Sequence, residues 1–182
     1  KSYDFSLANV EIQESWTYEQ ADTLMQEGQK YSYLQELYKV AQALQAQRIA
    51  NGAVLLERDE IDPVFLHSQE SDDKALQLLA PRKNTFSHLL VSEFMILANM
   101  SAANFAKEHD VSLLYRTQNV SVPKEAQGKW ENACDIYAVG KYLGKSLLET
   151  RPQKHAAIAA NAYAPISAAL RRYPDFLNLW QI

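Results

Sequence analysis

The chain has 182 residues, of which 47% are hydrophobic, so it is long and apolar enough for one domain with a core. Its formal net charge of −4 argues against binding of nucleic acid through bulk electrostatics, and any such site would have to be a local basic patch. A single cysteine excludes an internal disulfide and a cysteine-based zinc site and fits a cytoplasmic location, and no stretch approaches the ~20 apolar residues of a membrane span.

The start of the chain predicts a strand followed by two helices. Residues 3–12 alternate apolar and polar side chains, which is typical of a strand with one buried face. Thr17 and Gln20 have the spacing of a capping box and predict a helix from Tyr18 to about residue 27. A longer amphipathic helix is predicted over about residues 31–51.

Short elements are predicted next. Val54–Leu56 and Ile61–Phe65 indicate a hairpin, or two separate short strands, around a polar turn at residues 58–60. Leu76–Leu79 is interpreted as one helical turn before Pro81.

A central helix over about Phe86–Glu108 has the clearest pattern in the chain. A strand is predicted at Val111–Thr117. A helical region then runs from Pro123 to about Leu148, although two glycines weaken its continuity. No linker rich in glycine and serine divides the chain, so residues 1–182 are predicted to form one domain of the α+β class.

Two adjacent arginines, Arg171 and Arg172, precede a predicted helix start. Pro174 and Asp175 are typical of a first helical turn, and the helix is expected to cover residues 176–180. Guanidinium groups are planar, permanently charged and suited to phosphate oxygens. The pair is therefore interpreted as a positioned anion clamp, and the alternative is a solvated surface pair.

Glu93 and Tyr18 are further candidate binding residues, each with two interpretations. Glu93 falls within an apolar stripe of the central helix, where a carboxylate is costly unless it is paired. It is either a structural charge with an arginine partner, or it faces a ligand channel and accepts hydrogen bonds from a sugar hydroxyl. Tyr18, in the first turn of its helix, is either a core residue or a stacking platform for a base or ribose.

The sequence predicts no metal ligands within this chain. Its four histidines form none of the paired motifs that bind zinc. The acidic pairs Asp59-Glu60 and Asp72-Asp73 fall in polar turns and are interpreted as solvated loops. No phosphate-binding loop or dinucleotide fingerprint is present in the sequence, so no dinucleotide cofactor is expected.

Three segments resemble the RNB catalytic domain of the ribonuclease II and ribonuclease R exoribonucleases. Residues 16–22, Trp-Thr-Tyr-Glu-Gln-Ala-Asp, resemble a helix start of that family. Residues 89–103 are similar to its Leu-Val-Glu-Glu-x-Met-Ile-Leu-Ala-Asn run, and Leu-Tyr-Arg at 114–116 matches a strand. Residues 170–178 resemble its Arg-Arg-Tyr-x-Asp-Leu-x-Asn signature. The resemblance covers about residues 3–182 and implies the helix-rich C-terminal part of an RNB domain with short antiparallel strands.

The resemblance implies a processive 3′→5′ exoribonuclease that hydrolyses single-stranded RNA to nucleoside monophosphates with a divalent metal, Mg²⁺. Arg171 matches the arginine that contacts the scissile phosphate, and Arg172 would hold an adjacent phosphate or a structural carboxylate. Glu93 and Tyr18 match residues that grip the 3′-terminal nucleotide, where contact with the 2′-OH distinguishes RNA from DNA. Single-stranded RNA is thus the expected partner, with no membrane involved.

Two departures from the family pattern shape these expectations. The Ser-Pro that precedes the arginines is replaced by Ala168-Ala169. The metal-binding aspartates and the flanking RNA-binding barrels of the OB type are expected outside this chain, on an N-terminal remainder of a nicked or split enzyme, so this chain alone is expected to be inactive. The alternatives are a non-catalytic RNA-binding or scaffold protein that retains the RNB shell, and a helical interaction module unrelated to RNA.

Overall fold

The computed structural model describes residues 3–26, 31–58, 63–67, 74–78 and 85–182. In that part of the chain the helices are α1 (Tyr18–Gln26), α2 (Ser32–Ala50), α3 (Phe86–His109), α4 (Ala133–Gly140) and α5 (Tyr173–Gln181). The strands are β1 (Val54–Leu56), β2 (Pro63–His67), β3 (Lys74–Leu78), β4 (Tyr115–Thr117), β5 (Gly128–Trp130) and β6 (Leu147–Glu149). The predicted α+β class is confirmed.

The central helix α3 is the element around which the domain is built. Both α1 and α2 pack against it. Its C-terminal half buries three alanines, whose small side chains let the following segment approach closely, and a core forms there with Leu113 and Tyr115. Asp110 ends the helix in the left-handed conformation, with φ of 55°.

By length and composition alone, α3 is apolar enough to cross a membrane, contrary to the prediction that no stretch of the sequence is. A single helix of this kind is weak evidence for a membrane span, because the core helices of soluble proteins satisfy the same criterion of length and hydropathy. Buried polar residues, among them Glu93 and Asn99, lie along α3 and bond to other elements of the domain.

The helix predictions near both ends of the chain are confirmed. The capping box exists as predicted: the Thr17 N–H donates to Gln20 Oε1 at 2.8 Å, and the Gln20 N–H donates to Thr17 Oγ1 at 3.2 Å. The positions of α2 and α3 also match the sequence patterns. At the C-terminus, α5 begins as the Pro174-Asp175 signal indicates.

The strands form three separate pairs among the described residues. β1 pairs with β5 in parallel, whereas β2 with β3 and β4 with β6 are antiparallel. The predicted hairpin of β1 with the next strand is therefore wrong, and two short strands are correct, with residues 59–62 outside the described residues. The helical turn predicted at residues 76–79 is also wrong, because this segment belongs to β3 and pairs with β2.

The predicted N-terminal strand is wrong. Residues 3–17 have no regular secondary structure, and Leu7, Val10 and Ile12 are exposed. The alternating pattern forms a strand only where a neighbouring strand supplies hydrogen bonds, and none pairs with this segment in the described part of the chain. Phe5 instead packs edge-on against Phe105 of α3, with 5.1 Å between ring centroids.

The helical region predicted over residues 123–148 is interrupted by two strands. Gly128 has a φ of +106°, which breaks the helical pattern and begins β5. Only α4 is an α-helix there, and it begins where Asn132 Oδ1 accepts the Cys134 N–H at 2.8 Å. The strand predicted at residues 111–117 is shorter than expected and corresponds to β4.

Candidate RNA-binding cleft

A cleft of about 940 Å³ is lined by residues of α1, α2, α3, β1 and β5. Tyr18 of α1 and Glu93 of α3 both line it, although they are 75 positions apart in the sequence. The structure therefore brings together two of the candidate binding residues. Arg171 and Arg172 are not among the residues that line this cleft.

Glu93 is held by a buried ion pair with Arg48 of α2. The Arg48 guanidinium donates from Nε to Oε2 at 2.9 Å and from Nη2 to Oε1 at 2.5 Å. The exposed fraction of the side chain is 1% for Glu93 and 12% for Arg48. The arginine partner that one interpretation of Glu93 required is thus present, and the pair also lies on the cleft wall. Its part in RNA binding stays a prediction.

The buried pair predicts a large loss of stability on truncation. Glu93→Ala leaves the Arg48 charge without its partner, and breaking a buried pair in this way costs about 3–5 kcal/mol of the free energy of unfolding. Glu36→Ala is the matched control, because the Glu36–Lys39 pair is exposed and such pairs contribute about 0–1 kcal/mol. Urea denaturation measures both. Equal losses in the two variants would contradict the structural role assigned to the buried pair.

Tyr18 stacks on His88 at the first turn of α3. The two ring centroids are 3.8 Å apart and the rings are inclined by 23°. Tyr18 keeps more than a third of its surface exposed, and both rings line the cleft. Two hydrogen bonds between α1 and α3 hold the two rings next to each other. The Ser87 N–H donates to Asp22 Oδ1 at 2.9 Å, and Ser87 Oγ donates to the Tyr18 carbonyl at 3.1 Å. These two hydrogen bonds connect α1 to the start of α3 beside the stacked rings, and the role of Tyr18 as a stacking platform stays a prediction.

The cleft is not basic. Its lining carries the carboxylates of Asp22, Glu57 and Glu93 against the cations of Arg48 and Lys129, a formal charge of −1. Glu131 and then Glu57 accept hydrogen bonds from Lys129 and raise its pKa, so the lysine charge is already engaged. The cleft is suited to a neutral polar group, such as a sugar or a base, better than to a phosphate.

Asn99 connects α3 to the segment that leads to the arginines. Its Nδ2 donates to the Tyr163 hydroxyl at 2.7 Å and to Ser167 Oγ at 3.2 Å, and its Oδ1 accepts the Ile166 N–H at 2.8 Å. Tyr163 also lines the cleft. Asn99 is 1% exposed, so one buried amide links the cleft wall to the chain that approaches Arg171.

The arginine pair lies on an exposed turn before α5. The Ala168 carbonyl accepts the backbone N–H groups of Arg171 at 3.1 Å and Arg172 at 2.9 Å, and the Ala168 N–H donates to the buried Asp175 at 2.9 Å. The two alanines that depart from the family pattern thus belong to a defined turn. Within the described residues neither arginine side chain has an ion-pair partner, so both are available to an anion; contact with RNA remains a prediction.

His155, whose ring lies near that of Tyr163, makes the stability of the domain depend on pH. The two ring centroids are 5.8 Å apart, and burial lowers the pKa of the histidine from its ordinary 6.5. The unfolded chain therefore binds a proton at His155 more readily than the folded chain does. The stability that the neutral, buried His155 contributes is present above pH 6.5 and is lost as the pH falls through the lowered pKa of the folded state. His155→Phe should flatten the dependence of the free energy of unfolding on pH in that window. An unchanged slope would exclude His155 as its source.

The described residues offer no metal site. Nowhere among them do three histidine, cysteine or acidic side chains come close enough together to hold an ion. The use of Mg²⁺, with ligands from outside this chain, stays a prediction.

Sequence reasoning missed Arg48, Asn99 and Tyr163. The only signal for Arg48 was indirect, since Glu93 in an apolar stripe requires a cationic partner. Nothing in local spacing identifies that partner, because Arg48 lies 45 residues away. Asn99 was visible only as part of the family-like run, without any indication that its side chain bonds the segment before the arginines.

The RNB domain family is matched over residues 1–137. The chain belongs to this family. Mitochondrial exoribonuclease II of Saccharomyces cerevisiae is 26% identical over 164 residues, which cover 82% of this chain and 17% of the relative. Ribonuclease R of Vibrio cholerae is 25% identical over 177 residues, which cover 80% of this chain and 21% of the relative. The chain thus spans about a fifth of the length of these relatives.

Solved structures have the same fold. An active-site mutant of the Dss1 exoribonuclease from Candida glabrata has a TM-score of 0.74 and 26% identity, covering 91% of this chain and 23% of that one. Mycoplasma genitalium RNase R, in complex with ribose-methylated single-stranded RNA, has a TM-score of 0.67 and 17% identity, and the match covers 90% of this chain and 31% of that one. Yeast Ssd1, a pseudonuclease, has a TM-score of 0.60 and 17% identity, and the match covers 90% of this chain and 24% of that one. The last two likenesses concern the fold alone.

Proposed function

We propose that this chain is part of a processive 3′→5′ exoribonuclease that hydrolyses single-stranded RNA to nucleoside monophosphates. The observation that carries the proposal is membership of the RNB domain family over residues 1–137, together with exoribonuclease relatives over most of the chain. The N-terminal remainder of the enzyme supplies the ligands for Mg²⁺, and the enzyme acts in the cytoplasm.

The residues of this chain bind and position the RNA. The stacked rings of Tyr18 and His88 offer a flat face to the terminal base or ribose, a contact worth about 1–3 kcal/mol per base in single-strand binders. The neutral, hydrogen-bonding wall around Glu93 and Arg48 receives the sugar. Arg171 stabilises charge that develops on the scissile phosphate, and Arg172 holds a neighbouring phosphate. RNase R of M. genitalium, a structural neighbour, binds single-stranded and double-stranded RNA.

The proposal is tested on the full-length protein with a 5′-labelled single-stranded RNA. With Mg²⁺ present, the RNA should shorten from its 3′ end, nucleoside monophosphates should be the main product by mass spectrometry, and an excess of unlabelled RNA added after binding should not stop the reaction. A DNA of the same sequence is the matched control. Internal cuts, or equal degradation of DNA, would contradict the proposal.

A second candidate function is a non-catalytic RNA-binding or scaffold protein. The observation in its favour is the fold shared with the pseudonuclease Ssd1, since a chain can retain this shell without the reaction. In the same assay this candidate gives salt-sensitive binding of RNA without shortening. Absence of both binding and shortening would leave only a protein-interaction role.

A further inference from the structure

The charges of the chain are divided unevenly along the sequence. Residues 1–110 carry nine lysines and arginines against seventeen aspartates and glutamates, whereas residues 111–182 carry nine against five. The first part therefore has a formal charge of −8 and the second a formal charge of +4. In a chain that is acidic as a whole, this asymmetry directs electrostatic contact with a polyanion to the second part.

Five exposed cations in the second part form what we call the basic surface: Arg116, Lys141, Lys145, Arg151 and Lys154. None of them takes part in an ion pair among the described residues. Glu149 is the only acidic residue at positions 137–154, and its Oε2 accepts hydrogen bonds from Thr117 Oγ1 at 2.6 Å and Gln153 Nε2 at 3.1 Å. The five cations are therefore available to an external anion.

The buried residue Gln118 brings separate parts of the basic surface together. Its side-chain Nε2 donates to the carbonyl of Gly144, the residue before Lys145, at 2.7 Å. Its backbone N–H donates to the carbonyl of Lys154 at 2.9 Å. Arg116 is two positions away on β4, where its side chain lies on the exposed face of the β4–β6 pair. Cations that are distant in sequence are thus held around a single buried glutamine.

Two exposed tyrosines accompany these cations. Tyr137, near the end of α4, is 72% exposed, and Lys141 Nζ lies 4.7 Å from the centroid of its ring. Tyr142 is 49% exposed and follows in the turn after α4. A basic surface with aromatic rings on which bases stack is typical of proteins that bind single-stranded nucleic acid without sequence preference. An acidic protein partner would need the cations but not the exposed rings, so the combination favours RNA.

The cleft does not supply the charge that a longer RNA requires. Its lining is formally −1 and suits a neutral sugar or base, and none of the five cations belongs to it. Each further nucleotide of a bound RNA brings another phosphate charge, and lysines and arginines that neutralise these charges release counterions and so contribute affinity. Phosphates beyond those assigned to Arg171 and Arg172 therefore need a basic surface outside the cleft.

We propose that the basic surface binds the phosphate backbone of the part of a single-stranded RNA that lies outside the cleft, and that Tyr137 and Tyr142 stack on its bases. The inference rests on the proposed function and deepens it, because it adds to the cleft a second site for the same RNA. This second site reads charge and stacking, so it is independent of the base sequence.

RNA length separates the basic surface from the cleft. Binding to the full-length protein is measured by fluorescence anisotropy in EDTA, with single-stranded RNAs of about 4 and about 16 nucleotides, the range of site sizes of single-strand binders. In the double variant Lys145→Ala and Lys154→Ala, affinity for the longer RNA should fall roughly tenfold at about 0.1 M salt. The slope of log affinity against log salt should fall by about 1.4, because each phosphate contact of a single strand contributes about 0.7.

The short RNA is the internal comparison, and its affinity for the double variant should stay within about twofold of that for the wild type. Losses of equal size for the two RNAs would mean that the lysines act on the cleft, and the inference would be wrong. Unchanged affinity for the longer RNA would also overturn it, and the basic surface would then be left to an acidic protein partner.

Two further variants test charge and stacking separately. Lys107→Ala, at an exposed lysine in the last turn of α3, is the matched control and should change neither the affinity nor the salt slope. Tyr142→Ala should weaken binding of the longer RNA roughly fivefold at an unchanged salt slope, and Tyr142→Phe, which keeps the ring, should retain the affinity. A phenylalanine variant as weak as the alanine variant would exclude stacking by this residue.

The outcomes distinguish this inference from the proposed function. If the wild-type protein degrades RNA but binds the longer and the shorter RNA with the same affinity and salt slope, the basic surface has no part in RNA binding and the exoribonuclease proposal stands. If the protein neither binds nor degrades RNA, the proposed function itself fails.

Discussion

Arg171→Ala is expected to lower the turnover of RNA by the full-length protein roughly 10²- to 10³-fold, the cost of removing one group that stabilises developing charge. The affinity for RNA should change by no more than about threefold, because the other contacts remain. The side chain is exposed and makes no ion pair within the described residues, so the fold should be unaffected. Single-turnover kinetics measure the rate, and anisotropy measures the affinity.

The neighbouring residue provides the control for Arg171. Arg172→Ala removes the same charge one position away, at the N-cap of α5, and should weaken binding more than it slows the chemical step. If Arg171→Ala lowers the rate and the affinity by the same factor, Arg171 does not stabilise the transition state selectively. Both arginines would then be simple anion-binding groups.

The sequence predicted those elements whose signals are local. The capping box of Thr17 and Gln20, the apolar periodicity of α3 and the Pro-Asp start of α5 act within a few residues, and all three are correct. Glu93 was singled out for a local reason as well, since a carboxylate among leucines needs a partner.

The failures concern elements that depend on distant parts of the chain. β3 exists because β2 pairs with it, and β1 pairs with β5, more than 70 positions later. Segments this short have no decisive periodicity, so pairing decides their conformation. The N-terminal segment is the opposite case. Its side chains alternate as in a strand, but no strand pairs with it among the described residues. The same reason explains why Arg48 and Asn99 could not be assigned from spacing.

Asn99→Ala is expected to destabilise the domain by about 3 kcal/mol and to slow turnover in the molecules that remain folded. The substitution removes the acceptor of the N–H of half-buried Ile166 and the donor to the Tyr163 hydroxyl, and each buried group left unsatisfied costs about 1–3 kcal/mol. It also frees the segment that carries Ser167 from α3, so the turn before Arg171 loses its connection to the cleft wall.

Two comparisons separate positioning from stability in this prediction. Asn104→Ala, an exposed asparagine of the same helix, should change neither the free energy of unfolding nor the rate. In well-folded protein at low temperature, Asn99→Ala should slow single-turnover hydrolysis, and the double variant with Arg171→Ala should be scarcely slower than Arg171→Ala alone, because both act through the same guanidinium. If the two effects multiply, Asn99 supports the fold but does not position the arginine.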